Sequence, residues 1–205
     1  MTSRKGHPCL RALAASILMI SSVTLAQAAS TGWSLDAAQS ALDIQITDHR
    51  PAGNTLTHMR AAPIAGTITA NGDIDIPLSL NQLDVIAQLP TMLTQKALNH
   101  GTQHIQGHID PSALNALRTQ QSITTTVSFW DPTRHPDSRQ RVTTPVQLTR
   151  QENGLIRVAT PTPVNVDISP LLQQDNASLV TNLLGYQQID RHALVVFQGT
   201  LRPQS

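Results

Sequence analysis

Residues 64–80, which read IAGTITANGDIDIPLSL, form the stretch that decides the fold. Apolar side chains alternate with small or polar ones on both sides of Asn71-Gly72, a dipeptide typical of tight β-hairpin turns. The pattern predicts strands over 64–68 and 74–80, joined by a two-residue turn. Because proline donates no ladder hydrogen bond, Pro77 predicts a bulge or a sheet edge within the second strand.

The same period of two recurs along the chain and predicts an all-β protein. Strands are expected over 42–46, 105–109, 123–129, 142–148, 155–160 and 164–168, followed by a long final strand over 193–201. Short helices are expected over 91–98, over 112–117 with Asp110 as its cap, and from Asp175 or Asn176 to Gly185. This order of elements favours a closed antiparallel β-barrel of about eight strands with short helical insertions.

The N-terminus has the features of a secretory signal peptide. Arg4, Lys5 and Arg11 precede an apolar run over 12–25, and small residues at 26 and 28 mark a cleavage site. We therefore predict a signal peptide over 1–28, with cleavage after Ala28 or Ala29, and one domain over 30–203. No later stretch approaches the length of roughly 20 apolar residues that a membrane helix needs, so no integral membrane segment is expected after signal removal.

Composition narrows the range of functions. The chain has 205 residues, of which 13% are charged and 2% aromatic, and the mature part holds 11 basic and 13 acidic residues and no cysteine. A net charge of −2 with so few aromatic residues argues against nucleic-acid binding. The lack of cysteine excludes a disulfide, a thiolate metal site and a cysteine nucleophile in the mature chain.

Residue patterns give little support for catalysis or metal binding, and we predict no catalytic residue, metal or cofactor. His100, His104 and His108 are spaced by four, but 105–109 alternates as a strand, and residues four apart on a strand are separated by about 13 Å. A solvated strand face is therefore favoured over a zinc site. The sequence holds no nucleophile elbow or phosphate-binding loop, and Glu152 is its one glutamate. A hydrolase with a dispersed His/Asp site remains a minor alternative.

The inward-facing positions of the predicted strands are aliphatic. A barrel of about eight strands either fills itself with side chains or holds one slender ligand, and alternation looks the same in both cases. Aliphatic walls would suit an alkyl or isoprenoid chain. The candidate ligand contacts are Leu42, Ile44, Ile46, Ile64, Ile68, Ile74, Ile76, Leu78, Leu80, Val164, Val166, Val195 and Phe197.

Several short motifs resemble the YceI-like family. Trp33-Ser34-Leu35-Asp36 with Ser40-x-Leu42-x-Ile44 is similar to the opening W-x-L-D and S-x-L-x-F of that family, and residues 66–72 are similar to its G-x-I hairpin. Residues 166–172 lie where relatives carry an aspartate-phenylalanine-glycine turn, and the stretches 109–114 and 183–197 look like the exported branch of the family. The chain departs from the family pattern over 98–109, which lacks the usual aromatic residues, and at Ser169-Pro170, where relatives carry Phe-Gly.

The resemblance implies a lipocalin-like antiparallel barrel, a periplasmic location and, in some members, a lipid or polyisoprenoid chain in the lumen, with no known catalysis. The leading hypothesis is thus a periplasmic lipid- or polyisoprenoid-binding protein. The alternative is a non-catalytic cell-envelope interaction or structural protein with a packed barrel, whose loops over 50–54 and 131–141 meet a partner. The oligomeric state stays open.

Overall fold

The computed structural model describes residues 32–89, 102–130, 141–173, 178, 181–182 and 184–204. This part of the chain is mostly strand. The strands are β1 (Trp33–Leu35), β2 (Ala41–Arg50), β3 (Gly53–Ala61), β4 (Thr67–Ile68), β5 (Asp73–Leu78), β6 (Gln103–Ile109), β7 (Ser122–Trp130), β8 (Val142–Arg150), β9 (Ile156–Ala159), β10 (Val164–Asp167) and β11 (Gln188–Pro203). The short helices are α1 (Asp84–Ala87), α2 (Pro111–Asn115) and α3 (Ser169–Leu172), and 3-10 turns lie at Ala37–Gln39 and Leu80–Gln82.

Eight of these strands close into an antiparallel barrel in the order β1-β4-β5-β6-β7-β8-β9-β11, and β11 pairs again with β1. Leu201 in β11 faces Leu35 of β1 on one side and Ile156 of β9 on the other. Closure of this kind leaves the ring without a free edge. The predicted barrel is therefore confirmed.

Beyond the ring, the N-terminal half of β11 builds a four-stranded extension in the order β3-β2-β11-β10. Val195 of β11 pairs with Ile44 of β2 on one side and with Val164 of β10 on the other. Because β1 and β2 both pair with β11 on the same side, they form one long strand that the 3-10 turn at Ala37–Gln39 interrupts. The barrel wall thus continues past the closed ring on one flank.

The hairpin over 64–80 is confirmed, with differences at its turn and ends. Ile68 pairs with Ile74, but the turn holds three residues, because the amide of Thr69 bonds to the carbonyl of Asp73 at 2.9 Å and Gly72 adopts φ +89°. A glycine in this conformation at the end of a three-residue turn is a G1 bulge. Pro77 pairs with β6 alone, since β4 begins only at Thr67, which pairs with Asp75, so Pro77 does lie at an edge.

The strand expected over 64–68 is wrong except at its last two residues. The amide of Ile64 donates to the carbonyl of Ser40, and the carbonyl of Gly66 accepts from Leu35, so these backbone groups bond outside a regular ladder. Leu80 is also not in a strand. It begins a 3-10 turn at which the amide of Ser79 donates to Gln82 Oε1 at 2.7 Å, a capping box that ends β5.

The loop expected over 50–54 is a two-residue turn between β2 and β3, where Arg50 pairs with Gly53. Strand β3 escaped prediction because its side chains are mostly exposed on both faces over 53–58, which leaves little alternation. Strands β6 to β10 lie within two residues of their expected ends, and His104 and His108 are on the exposed face of β6. Strand β2 runs four residues beyond the expected end at Ile46, and β11 begins five residues before Ala193.

One predicted helix is confirmed and two fall largely outside the described residues. Asp110 caps α2 by accepting a 2.8 Å hydrogen bond from the amide of Ser112, and these Ser112 bonds lower the pKa of Asp110. The helix expected over 91–98 and the loop over 131–140 lie outside the described residues. Of the last predicted helix, residues 178, 181 and 182 are helical, and Gly185 follows with φ +75°.

Apolar side chains gather in two clusters. The closed-end core lies inside the ring and includes Trp33, Leu35, Ala61, Ile64, Ile68, Ile74, Ile76, Ile109, Leu114, Leu117, Val127, Val146, Leu148, Ile156, Val158 and Leu201, all at most 9% exposed. The extension cluster consists of buried Ile46, Tyr186 and Ala193 with the partly buried Ile44, Met59, Ile168, Leu184, Ile189 and Val195. Side chains therefore fill the ring itself, and the extension carries a separate, less deeply buried cluster.

Replacing Gly72 by alanine is expected to destabilise the barrel strongly. Its φ is positive, and a Cβ there would overlap the carbonyl oxygen of Ile109, whose amide donates to Gly72 at 2.9 Å. Gly154→Ala is the matched control, since φ is +81° but no heavy atom lies within 4 Å of the added carbon. We expect Gly154→Ala to cost about 1 kcal/mol and Gly72→Ala several times more in chemical denaturation. Equal losses of stability in the two variants would show that the close approach of Gly72 to Ile109 of β6 does not contribute to stability.

Candidate functional site

The inner face of the extension is the apolar surface best placed to receive a ligand. Strand register sets Met59, Ile44, Val195 and Val164 side by side in one row across β3, β2, β11 and β10. Each of the four is only half-buried. On one side the row adjoins Leu42 and Phe197, which pack against the closed-end core, and on the other side lie Ile46 and Ala193. We call Met59, Ile44, Val195 and Val164 the half-buried row.

The predicted ligand contacts divide between the two clusters. The structure brings Ile44, Val195 and Val164 together in the half-buried row, with Ile46 and Val166 one row farther from the ring. Deep in the closed-end core, by contrast, lie Ile64, Ile68, Ile74 and Ile76, and Leu42, Leu78 and Phe197 pack against that core. Leu80 is half-buried in its 3-10 turn. Contact of any of them with a ligand stays a prediction.

The inner face ends at a buried carboxylate, Asp48, which was not predicted as a site residue. Asp48 shares its face with Ile44 and Ile46 and is 0% exposed. Its Oδ2 accepts a 2.6 Å hydrogen bond from Arg50 Nε, while its Oδ1 has no hydrogen-bond partner among the residues that the structure describes. The guanidinium carbon of Arg50 lies 5.2 Å from the centre of the Tyr186 ring, a cation-π contact.

The alternation of β2 contains the signal that locates Asp48. The apolar positions 42, 44 and 46 continue at 48, so the same period that predicted the strand places this carboxylate on the inner face. Its ion pair with Arg50, two residues away, follows the same period. What the sequence does not show is the contact between Arg50 and Tyr186, since these two residues are distant along the chain.

His49, on the opposite face of β2, is held by two acceptors. Its Nε2 lies 2.8 Å from Asp190 Oδ1 and its Nδ1 lies 2.7 Å from Asn54 Oδ1. The hydrogen bond to Asp190 is the main cause that raises the pKa of His49 above its ordinary value of about 6.5. Both acceptors therefore stabilise the imidazolium form of His49 relative to that of a free histidine.

An open cleft of about 530 Å³ lies on the outer side of the barrel, next to the 3-10 turn at Ala37–Gln39. Its lining includes Arg60, Arg157, Gln151, Gln198 and Thr200. Thr200 and Gln198 alternate with Leu201 and Phe197, which face the core, so the cleft is separate from the inner face. Its polar lining does not suit an apolar chain.

The two histidines at the exposed positions of β6 pair with aspartate side chains that are also exposed to solvent. Nδ1 of His104 lies 2.9 Å from Asp75 Oδ1, and Nδ1 of His108 lies 3.2 Å from Asp73 Oδ1. Both rings are nearly half-exposed, as a solvated strand face requires. Across the described ranges, no three His, Cys, Asp or Glu residues group closely enough to hold a metal ion. His100 lies outside those ranges.

Comparison with solved structures supports the fold. The chain is similar to a polyisoprenoid-binding domain from Saccharophagus degradans that is implicated in plant cell wall breakdown, with 15% identity and a TM-score of 0.64. The match covers 84% of this chain and 98% of that domain. The two share a fold. No protein-family model and no curated protein matches the sequence. Among the described helices, none is long and apolar enough to cross a membrane.

Changing Asp190 to asparagine should lower the pKa of His49 toward its ordinary value, because the largest cause of its elevation is removed. A raised folded-state pKa contributes stability below about pH 6.5 that is lost as the pH rises through the folded pKa. The free energy of unfolding should therefore gain less from a fall in pH in D190N than in the wild type. An NMR titration of His49 with denaturation at several pH values measures both, with D75N, which removes the partner of His104, as control. An unchanged His49 titration in D190N would contradict the assignment.

Proposed function

We propose that this protein binds a long apolar chain, of the lipid or polyisoprenoid class, against the inner face of the extension, as an exported periplasmic protein without catalytic activity. The half-buried row is the observation that carries the proposal. Met59, Ile44, Val195 and Val164 form a continuous aliphatic surface that protein side chains cover only in part. Covering such a surface with a hydrocarbon chain is favourable because it removes apolar area from water.

The closed-end core limits where that chain can lie. Ile64, Leu148, Ile156 and Leu201 are at most 1% exposed, so side chains fill the inside of the ring. A protein interior at native packing density leaves few voids larger than a water molecule. The hydrocarbon chain of the ligand would therefore occupy the half-open flank formed by β3, β2, β11 and β10. Its end closest to the ring would lie against Leu42 and Phe197.

The likeness to the Saccharophagus domain supports this class of ligand as well as the fold. That domain is described as polyisoprenoid-binding, and it matches over nearly its whole length. The motifs around Trp33 and Asn71-Gly72 point to the YceI-like family independently. We propose membership of that family, with residues 1–28 as the signal peptide and 30–203 as the binding domain.

A second candidate function rests on the same packed core. A barrel whose ring is filled by side chains also fits a structural or interaction protein of the cell envelope. On that hypothesis the half-buried row is simply the margin of the core, and the protein carries no chain. The first candidate function requires a hydrocarbon chain on the half-buried row, and the second does not. A bulky side chain placed in the row can therefore distinguish them.

Replacing Ile44 by tryptophan should weaken binding of geranylgeraniol about tenfold or more, because the indole would occupy the half-buried row. Gln45→Trp places the same ring on the outer face of β2 and should leave binding unchanged. Binding is measured by calorimetry with the mature protein, and native mass spectrometry of a mild extract should show a co-purifying lipid in the wild type.

Two results would favour the structural candidate. One is a wild-type protein that binds no geranylgeraniol and carries no lipid. The other is equal binding by both variants, with Ile44→Trp only losing stability, since overpacking a filled core costs about 1–3 kcal/mol.

A further inference from the structure

Asp48 is a buried carboxylate with one oxygen unused. Its side chain is 0% exposed, and Arg50 Nε donates to Oδ2 at 2.6 Å. Oδ1 is buried and accepts no hydrogen bond from the described part of the chain. Buried polar atoms are nearly always hydrogen-bonded, so one left without a partner needs a specific explanation. A carboxylate is an acceptor only, and the missing partner must therefore be a donor.

The position of Asp48 relates this oxygen to the apolar face. Asp48 lies two residues beyond Ile46 on the inner face of β2, and four beyond Ile44 of the half-buried row. At the rise of a β-strand, the row and the carboxylate are about 13 Å apart. A chain that lies along the inner face from the row outward would therefore bring its end to Asp48.

The backbone opposite Asp48 is irregular. Asp48 pairs with Ile189 and Ile46 pairs with Ala193, so between these pairs one residue of β2 faces three of β11. Such a bulge interrupts the ladder and is common next to functional sites. Tyr186 and Ile189 belong to the extension cluster beside it, and Thr55 of β3 pairs with Asp48 on its other side.

We propose that Asp48 Oδ1 is the acceptor for the hydroxyl group of a long-chain alcohol whose hydrocarbon part lies on the half-buried row. This inference rests on the proposed function and specifies its ligand class. The hydroxyl donates its proton to Oδ1, while Arg50 keeps Oδ2 occupied. An ether in the same place has no proton to donate, and an acid head would set a second carboxylate against Asp48 at a site with little water.

The inference is tested by comparing geranylgeraniol, its methyl ether and geranylgeranoic acid as probes of the mature protein. The wild type should bind the alcohol about tenfold or more tightly than the ether, since hydrogen bonds to charged groups are among the strongest. The acid should bind at least as weakly as the ether. Each affinity ratio is measured within one protein sample, so that the folded fraction cancels.

Asp48→Asn should abolish the preference. Its amide oxygen can still accept from Arg50, while its NH2 group takes the place of Oδ1 and donates to alcohol, ether and acid alike. Asp43→Asn is the matched control. It removes the same charge from the same strand, but its carboxylate faces outward, 2.9 Å from Arg60, and is 44% exposed. The control should keep the wild-type ratio.

The outcomes separate the two proposals. Equal wild-type affinities for alcohol and ether, or a wild-type ratio retained in Asp48→Asn, would overturn the role of Asp48 while leaving chain binding intact. Failure of the wild type to bind any of the three probes would overturn both. If Asp48→Asn does not fold, the carboxyl 13C shift of Asp48 in the wild type decides the question. It should move with the alcohol and not with the ether.

Discussion

The structure depends on the pairing of β11 along both of its sides. This sixteen-residue strand pairs at its C-terminal end with β1 and β9, which closes the ring. Its N-terminal half pairs with β2 and β10, which extends the wall beyond the ring. Because one continuous strand serves both parts, their inner faces are continuous. The closed-end core and the half-buried row are therefore two regions of one apolar surface, and they differ in how completely they are enclosed.

The 3-10 turn at Ala37–Gln39 fixes the boundary between those regions. Asp36 caps this turn and is held by Arg202 at the end of β11, whose hydrogen bond lowers the pKa of Asp36. Ser40 Oγ donates to the carbonyl of Asp36 and accepts from the amide of Thr200. The turn is thus tied to β11 from both of its ends. The outer cleft lies beside it because the strand partner of β11 is interrupted there, which exposes polar groups on the outside of the wall.

The sequence predicted those parts of the fold in which alternation or turn chemistry is strong. The hairpin at Asn71-Gly72, the cap at Asp110 and the long final strand follow from local rules. Strand β3 was missed because its side chains are exposed on both faces, and Leu80 was misplaced because a capping box at Ser79 ends the strand early. Which aliphatic residues line the half-buried row was beyond local reasoning. Ile44 and Ile74 look alike in sequence, and only the closure of β11 with β1 and β9 separates their environments.

Asp48 interrupts an otherwise regular pattern of aliphatic residues on β2. Three aliphatic residues in alternation predict a fourth inward position, and the chain places a charge there. A charge is costly to bury unless it is paired, and Arg50 satisfies half of its requirement. The apolar part of the inner face consequently ends at Ile46, about 13 Å along β2 from Leu42. Beyond this length, the apolar surface continues from β2 onto β11 and β10, where the aliphatic side chains of Val195, Val164 and Val166 lie.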